Sequence, residues 1–276
     1  MISLAQDLRL GTEVMHRLDR LARFSEEEGA LTRLYLTPEH GAAALQARQW
    51  MEAAGMAVHV DAAGTVVGRY DGTGDCRPAL LIGSHIDTVR NAGKYDGNFG
   101  VLAGVAAVAE LNRRAERLPF AIEVVGFGDE EGVRFPVTLT GSRAVAGTFD
   151  GAALRAADAD GVGYAEALRA FGGDPDAIGS AARRPDEVLA YVEVHIEQGP
   201  VLEAENLGVG VVTGINGASR YRVTVGGTAG HAGTEVPTGP AQDQRLAARH
   251  VLAAVVTDPL HHEGGTGVAH PEPLPR

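Results

Sequence analysis

Three short apolar segments constrain the fold of this chain most strongly, because metal-binding residue types stand at the end of each one. The segments are residues 79–83 (ALLIG), 122–127 (IEVVGF) and 191–195 (YVEVH). Such segments are typical of strands that are covered on both faces. Residues 98–111, rich in Ala, Val and Leu, have a helical pattern. Strands that alternate with helices predict an α/β fold with a mostly parallel sheet and flanking helices.

The segments before residue 79 fit the same architecture. Residues 10–21 have apolar residues at helical spacing. Residues 37–54 begin with Thr-Pro-Glu, a typical helix start, and are followed by a glycine that can end the helix.

The character of the sequence changes towards the C-terminus. Residues 220–225 (RYRVTV) alternate between polar and apolar like a strand with one solvent-exposed face, and residues 241–256 have a helical pattern. These last two predict the beginning of a second, α+β domain.

Composition excludes several classes of partner. The 276 residues carry a formal net charge of -12, which opposes binding to nucleic acid. No apolar run approaches the roughly 20 residues that cross a membrane, and the N-terminus lacks the apolar core of a signal peptide. Cys76 is the single cysteine, so no internal disulfide can form. We therefore expect a cytoplasmic protein without nucleic-acid or membrane partners.

The segment after the first strand contains His85 and Asp87, and Asp96 follows nearby. The carboxyl ends of strands in open α/β sheets are where sites are usually built. Histidine is a common metal ligand, and a ligating imidazole needs a carboxylate or carbonyl to fix its other nitrogen. Asp87 can supply that group. Asp96 is expected at a loop-to-helix junction, where a carboxylate can bridge two cations.

The second and third strands end in Asp129-Glu130-Glu131 and in His195. Adjacent acids at the end of a buried strand are unfavourable unless protons or cations compensate them. Neighbouring residues point to opposite sides, so one glutamate can bind metal while the other faces substrate. Each signal is weak alone, because surface histidines and solvated acidic pairs are common. Together, at three strand ends, they predict a single metal pocket.

The sequence resembles the hydantoinase/carbamoylase family of zinc amidases, which includes N-carbamoyl-L-amino-acid hydrolases and allantoate amidohydrolases. The resemblance extends over residues 5–256, and HIEQGPVLE is its most specific segment because clan relatives usually have an acid where His195 stands. The other matching segments are GSHIDTVRNAGKYDGNFGVLAG, GFGDEEGVRFPVTLTGSRAVAG and RYRVTVGGTAGHAGT. The resemblance implies a zinc aminopeptidase-like catalytic domain and an α+β lid that also forms a homodimer.

The resemblance also implies two divalent metal ions, zinc by preference, with Mn, Co or Ni as alternatives. His85, Asp96 and His195 would hold one ion. Asp96 would bridge to the second ion, which Glu131 also binds. Asp87 would fix the ring of His85 through the nitrogen that does not bind the metal.

Three further roles follow from the same resemblance. Glu130 would be the general base that takes a proton from a metal-bridging water. Gln198 would contact the substrate. His231 would reach from the lid of the partner subunit to stabilise the oxyanion.

Family members are longer, and after the lid their chain returns to supply a last histidine to the second metal. That histidine is not found here; His261, His262 and His270 lie in a Pro- and Gly-rich context. We therefore expect a C-terminally truncated member, with a catalytic domain at 1–212 that lacks its C-terminal part. A partial lid at 213–256 and an irregular tail at 257–276 complete the expected organisation.

The predicted function is hydrolysis of the carbamoyl C–N bond of N-carbamoyl-L-amino acids, which are small-molecule substrates. Allantoate amidohydrolase and a clan aminoacylase or peptidase remain as alternatives. An inactive fragment that binds partners is a further alternative. Because the second metal has only Asp96 and Glu131 as protein ligands, we expect the chain as given to be a poor or inactive enzyme.

Overall fold

The computed structural model describes residues 4–74 and 78–214. Two compact units divide the chain, Met1–Gly199 and Pro200–Arg276. Cys76, His231, the predicted lid elements and the predicted tail lie outside the described residues. The domain limits at 212 and 256 therefore stay predictions.

The described residues of the first unit form five strands and five α-helices. The strands are β1 (Ala57–Val60), β2 (Val66–Tyr70), β3 (Ala79–His85), β4 (Ala121–Phe127) and β5 (Val188–Val192). The helices are α1 (Leu4–Leu21), α2 (Pro38–Ala53), α3 (Asn98–Arg113), α4 (Thr140–Val145) and α5 (Tyr164–Phe171). Short 3-10 helices cover Gly151–Arg155, Ile178–Ala181 and Pro185–Glu187. The described part of the second unit contains one short helix, α6 (Val201–Ala204).

The sheet is mixed, with the strand order β1-β2-β4-β3-β5. β3 pairs in parallel with β4 and with β5, whereas β1–β2 and β2–β4 are antiparallel. The α/β class with flanking helices is confirmed, but the prediction of a mostly parallel sheet is not. The reason is local: only residues 61–65 connect β1 to β2, and so short a connection allows only antiparallel pairing.

The register between β3 and β4 runs from Ala79 opposite Ala121 to His85 opposite Phe127. Both strands therefore end at the same edge of the sheet, and the residues that follow them meet there. β5 pairs with the other side of β3 as far as Ile82 opposite Val192. The parallel part of the sheet thus brings the ends of all three strands to one edge. The third strand differs from its prediction, because β5 is largely exposed and ends at Val192, three residues before His195.

The main core lies between the sheet and helices α2 and α3. β4 is buried at all seven positions, including Glu123, whose carboxylate pairs with Arg69 and Arg183. α2 begins as predicted: the Thr37 side chain accepts the backbone N–H of His40, and Pro38 occupies the first turn. Gly55 follows the helix with φ +86°, a conformation that favours glycine. α1 packs on α3, where its fully buried Leu18 joins the cluster around Leu102.

None of the helices within residues 4–74 and 78–214 is long and apolar enough to span a membrane.

The fully buried His40 makes the stability of this core depend on pH. Its Nδ1 accepts the backbone N–H of Leu36 at 3.3 Å, and its ring stacks on Phe171 with 5.0 Å between centroids. Burial lowers the pKa of His40 from its ordinary value of 6.5 to about 4. The folded protein therefore keeps this imidazole neutral, while the unfolded chain binds a proton below about pH 6.5.

We predict that this difference destabilises the protein as the pH falls from 6.5 towards 4. Between about pH 7.5 and about pH 5 the linkage removes up to about 2 kcal/mol of the free energy of unfolding. His40→Gln should lose less stability than the wild type over this interval, as measured by urea denaturation. His16→Gln, a change on the exposed face of α1, serves as the control. Equal pH dependence in all three proteins would contradict the prediction.

Candidate metal centre and active site

His85 is the last residue of β3 and is almost fully buried. Its Nδ1 lies 3.0 Å from the backbone carbonyl oxygen of Asp87. A proton on Nδ1 donates to that carbonyl and leaves the lone pair on Nε2 free to bind a metal. Asp87 thus lies beside His85 as predicted, but its carbonyl is nearer to the ring than its carboxylate, whose Oδ1 is 3.6 Å from Nδ1.

The Asp87 carboxylate instead organises the loop that follows β4. Its Oδ1 accepts the backbone N–H of Glu130 and its Oδ2 accepts that of Glu131, each at 3.1 Å. One buried aspartate therefore contacts both His85 and the pair of glutamates. Burial opposes its ionisation, but His85, His40 and the Glu130 amide together lower the pKa of Asp87.

Asp96 lies between two imidazoles. Its Oδ1 is 3.7 Å from Nε2 of His85 and 3.1 Å from Nε2 of His195. The candidate ligand atoms of the three residues all lie within 4.8 Å of one another. Nδ1 of His195 is 2.9 Å from the carbonyl oxygen of Ile196, so its Nε2 is also free to bind a metal. The structure therefore brings together the three residues that were predicted to hold the first ion.

This triad fits a divalent cation. Asp96 Oδ1 is buried and forms no hydrogen bond with any residue that the structure describes. Zinc ligands at about 2.0–2.1 Å in tetrahedral geometry lie about 3.3 Å from one another, close to the two distances observed around Asp96. An imidazole, imidazole and carboxylate set suits zinc, and it also accepts cobalt, nickel or manganese.

The charges around His85 favour a cation at the same place. Burial would lower the pKa of His85, but the carboxylates of Asp87 and Asp96 outweigh it and raise that pKa to about 11. The pKa of Asp96 is correspondingly lowered, first by His85 and also by the amide of Gln198. A divalent cation that binds through Nε2 of His85 would take the place of the proton that these carboxylates attract.

Glu130 and Glu131 form a second group with His85, in which the ligand atoms again lie within 4.8 Å of one another. Both side chains are partly buried, and burial raises the pKa of each. This group shares His85, whereas the predicted second metal would share Asp96. The assignment of Glu131 to a second ion and of Glu130 to a base therefore stays a prediction.

Asp129 is not in this group. The two glutamates were predicted to point to opposite sides, but ligand atoms of both lie near His85. Asp129 is fully buried with φ +61°, and its carboxylate contacts the hydroxyl of Thr140. Burial raises the pKa of Asp129 to about 8, with Asp87 and Glu130 adding to the effect and Thr140 opposing it. The protonated form of Asp129 is therefore favoured at neutral pH.

Glycine at position 97 permits the close approach of Asp96 to His85. Gly97 has φ +65°, and a Cβ atom there would lie 2.5 Å from the ring of His85. Any side chain would displace the imidazole, so glycine is required at this position. Gln198 lies on the other side of Asp96, and its Nε2 donates to Asp96 Oδ2 at 2.8 Å. The predicted substrate contact thus touches a candidate ligand.

Two features of the site were missed by the sequence analysis. Ser84 donates a hydrogen bond to Glu193 beside the β3–β5 pairing, and Arg33 is buried directly behind the site. A serine or an arginine has no periodic pattern that would single it out, so only the three-dimensional contacts identify these residues. His231 lies outside the described residues, and its predicted role is untested.

Two relatives match most of this chain. It is 43% identical over 246 residues to an N-carbamoyl-L-amino acid amidohydrolase of Geobacillus stearothermophilus. That alignment covers 89% of this chain and 60% of the relative. It is 41% identical over 252 residues to a probable allantoate deiminase of Oryza sativa subsp. japonica, covering 90% of this chain and 51% of the relative. The chain thus spans about half to three fifths of the length of these relatives.

The fold is shared with a solved relative as well. The crystal structure of a hydantoinase/carbamoylase family amidase from Burkholderia ambifaria is 37% identical, with a TM-score of 0.65, over 71% of this chain and 48% of that chain. The resemblance seen in the sequence motifs is therefore confirmed. The family described as Peptidase family M20/M25/M40 matches residues 81–270, well over half of the sequence. This chain accordingly belongs to peptidase family M20/M25/M40.

Proposed function

We propose that this chain carries the catalytic metal site of an amidohydrolase that cleaves the carbamoyl C–N bond of N-carbamoyl-L-amino acids. The observation that carries the proposal is the approach of two imidazole Nε2 atoms, from His85 and His195, to the buried Oδ1 of Asp96. The similarity to an N-carbamoyl-L-amino acid amidohydrolase supports the substrate class. Zinc as the ion, a homodimer and a cytoplasmic location belong to the same proposal.

His85, Asp96 and His195 would hold the first ion, and Glu131 with Asp96 would hold a second. The chemistry that a divalent cation supplies when bound is polarisation of a carbonyl group and a lower pKa for water. His85 and His195 contribute neutral nitrogen ligands because backbone carbonyls anchor their Nδ1 atoms. Asp87 keeps the loop with both glutamates against His85.

Glu130 would be the general base that transfers a proton from the attacking water to the leaving nitrogen. Burial raises its pKa, Asp87 and Glu193 add to this, and His85 and His195 oppose it. A carboxylate with a raised pKa is a better base near neutral pH than a solvated one. In the proposed reaction Glu130 accepts a proton from the attacking water and returns it to the leaving amino-acid nitrogen. The carbamoyl C–N bond breaks, giving the free amino acid and carbamic acid, which decomposes to carbon dioxide and ammonia.

Allantoate is the second candidate substrate. It also contains ureido groups, and an allantoate deiminase is among the similar relatives. The described residues near His85, Asp96 and His195 contact these three side chains, and the same contacts serve either substrate. Gln198 would contact either one, and His231 would stabilise the oxyanion from a partner subunit.

The substrate prediction is tested with a chimera that joins this chain to the C-terminal part of the Geobacillus stearothermophilus relative. We expect kcat/KM for an N-carbamoyl-L-amino acid to exceed that for allantoate, measured as ammonia release. Clear preference for allantoate would reverse the order of the two substrates. Activity on dipeptides alone would reject both.

A second prediction separates the roles of the two glutamates in the same chimera. Glu130→Gln should lower kcat by at least about a hundredfold, the usual contribution of a general base, and should leave metal content unchanged. Glu131→Gln should lower the occupancy of the second metal instead. Metal analysis of both variants beside the kinetics decides the matter. If Glu130→Gln loses metal and Glu131→Gln does not, the two roles must be exchanged.

The 276-residue chain by itself should hold one zinc ion tightly and turn over carbamoyl substrates negligibly. Among the residues that the structure describes, the proposed first site has three protein ligands, the usual number for a catalytic zinc, and the proposed second site has two carboxylates. His195→Ala should release the tight ion, whereas His59→Ala, at an exposed position on β1, should retain it. Metal analysis after dialysis measures this. Two tightly held ions with normal turnover would contradict the prediction.

A further inference from the structure

Arg33 is a fully buried arginine in the connection between α1 and α2. Its Nε donates to the carbonyl oxygen of Ile86 at 2.7 Å, and Nη1 donates to those of Leu21 and Phe24 at 2.9 and 3.2 Å. Nη2 donates to Oδ1 of Asn98 at 2.6 Å. Burial lowers the pKa of Arg33 to about 10, so the guanidinium stays charged at neutral pH. All four acceptors are neutral oxygens, which makes this charge costly to bury.

One group of these contacts fixes the segment that follows β3. Ile86, whose carbonyl accepts from Arg33, stands between His85 and Asp87 in the sequence. The backbone N–H of Arg33 also donates to the hydroxyl of Thr88 at 2.9 Å, and the Thr88 N–H donates to the Arg33 carbonyl at 3.0 Å. Arg33 thus holds the peptide chain on both sides of Asp87.

The other contact fixes the turn that carries Asp96. The side-chain Nδ2 of Asn98 donates to the backbone carbonyl of Asp96 at 3.0 Å, and its backbone N–H donates to the same oxygen at 2.7 Å. The orientation of the Asn98 amide is set by its Oδ1, which accepts from Arg33. Gly97, between these two residues, lies against the ring of His85.

We propose that Arg33 is a positioning residue that fixes the spacing between His85 and Asp96 and thereby the affinity of the site for its cation. A guanidinium carries five donors in one rigid plane, so a single side chain can join both ligand-bearing segments. A lysine has three donors on a compact ammonium and cannot reproduce this fork. The inference rests on the proposed function, because it assigns Arg33 a task only if the triad binds a metal.

The test compares cobalt(II) and zinc binding by the full 276-residue chain and its variants, by competition with a chromophoric chelator. Arg33→Lys and Asn98→Ala should each raise the Kd of the tight site by about 10- to 100-fold, the usual effect of groups that orient metal ligands. The visible absorption of bound cobalt(II) should also change, because it reports ligand geometry. The double variant should lose little more than Arg33→Lys alone, since both changes break one linkage.

Leu168→Ala is the matched control for destabilisation. Leu168 is fully buried in the cluster around Tyr164 and Phe135, so its truncation lowers stability through a cavity. It should leave the Kd and the cobalt spectrum unchanged. Thermal unfolding without metal measures the stability of each variant.

Three results would overturn the inference. Folded Arg33→Lys and Asn98→Ala proteins that bind cobalt(II) with wild-type affinity and spectrum would remove the positioning role. A Leu168→Ala protein with the same loss of affinity would reduce the effect to general stability. If Arg33→Lys does not fold, Asn98→Ala alone decides, and wild-type binding then overturns the inference. A wild-type chain that binds no cation would instead reject the proposed function, and the inference with it.

Discussion

The parallel pairing of β3 with β4 and β5 is the constraint on which the rest of the structure depends. Because these strands run in the same direction and in register, their carboxyl ends lie at one edge of the sheet. His85 ends β3, Glu130 and Glu131 follow β4, and His195 follows β5. Residues separated by more than a hundred positions in the sequence thereby form one cluster. A shift of the β3–β4 register would separate His85 from the loop that carries Glu130, and the cluster would be lost.

Charge compensation is the second physical theme of the site. Five acids of the described residues surround a small region, and the protein itself compensates two of them. Asp87 accepts two backbone N–H groups, and Asp129 is favoured in its protonated form. The remaining acids are Asp96, Glu130 and Glu131. A buried carboxylate oxygen that faces two imidazole nitrogens without a hydrogen bond is unfavourable in isolation, and a divalent cation removes that cost. The guanidinium of Arg33 places a further positive charge behind the same region, where it also joins the segments that carry His85 and Asp96.

Much of the site could be predicted from the sequence, because metal ligands are specific residue types and strand ends are visible as changes from apolar to polar residues. The helix at residues 38–53, the strands at 79–85 and 121–127, and the approach of His85 to Asp96 and His195 all follow from such signals. The antiparallel pairing of β2 with β4 did not, because the sequence pattern of β2 does not specify which strand lies beside it, whereas the short β1–β2 connection does require antiparallel pairing. Arg33 and the carbonyl of Asp87 were missed for a related reason: a hydrogen bond to backbone leaves no trace in the spacing of side chains.

Anomalous diffraction at the zinc absorption edge, on crystals of the zinc-loaded chain, tests the central claim most directly. The account predicts that the strongest anomalous peak lies within bonding distance of Nε2 of His85, Nε2 of His195 and Oδ1 of Asp96. A strongest peak at any other group of residues would contradict the account. So would the absence of a peak at this triad in a crystal whose protein carries zinc by metal analysis.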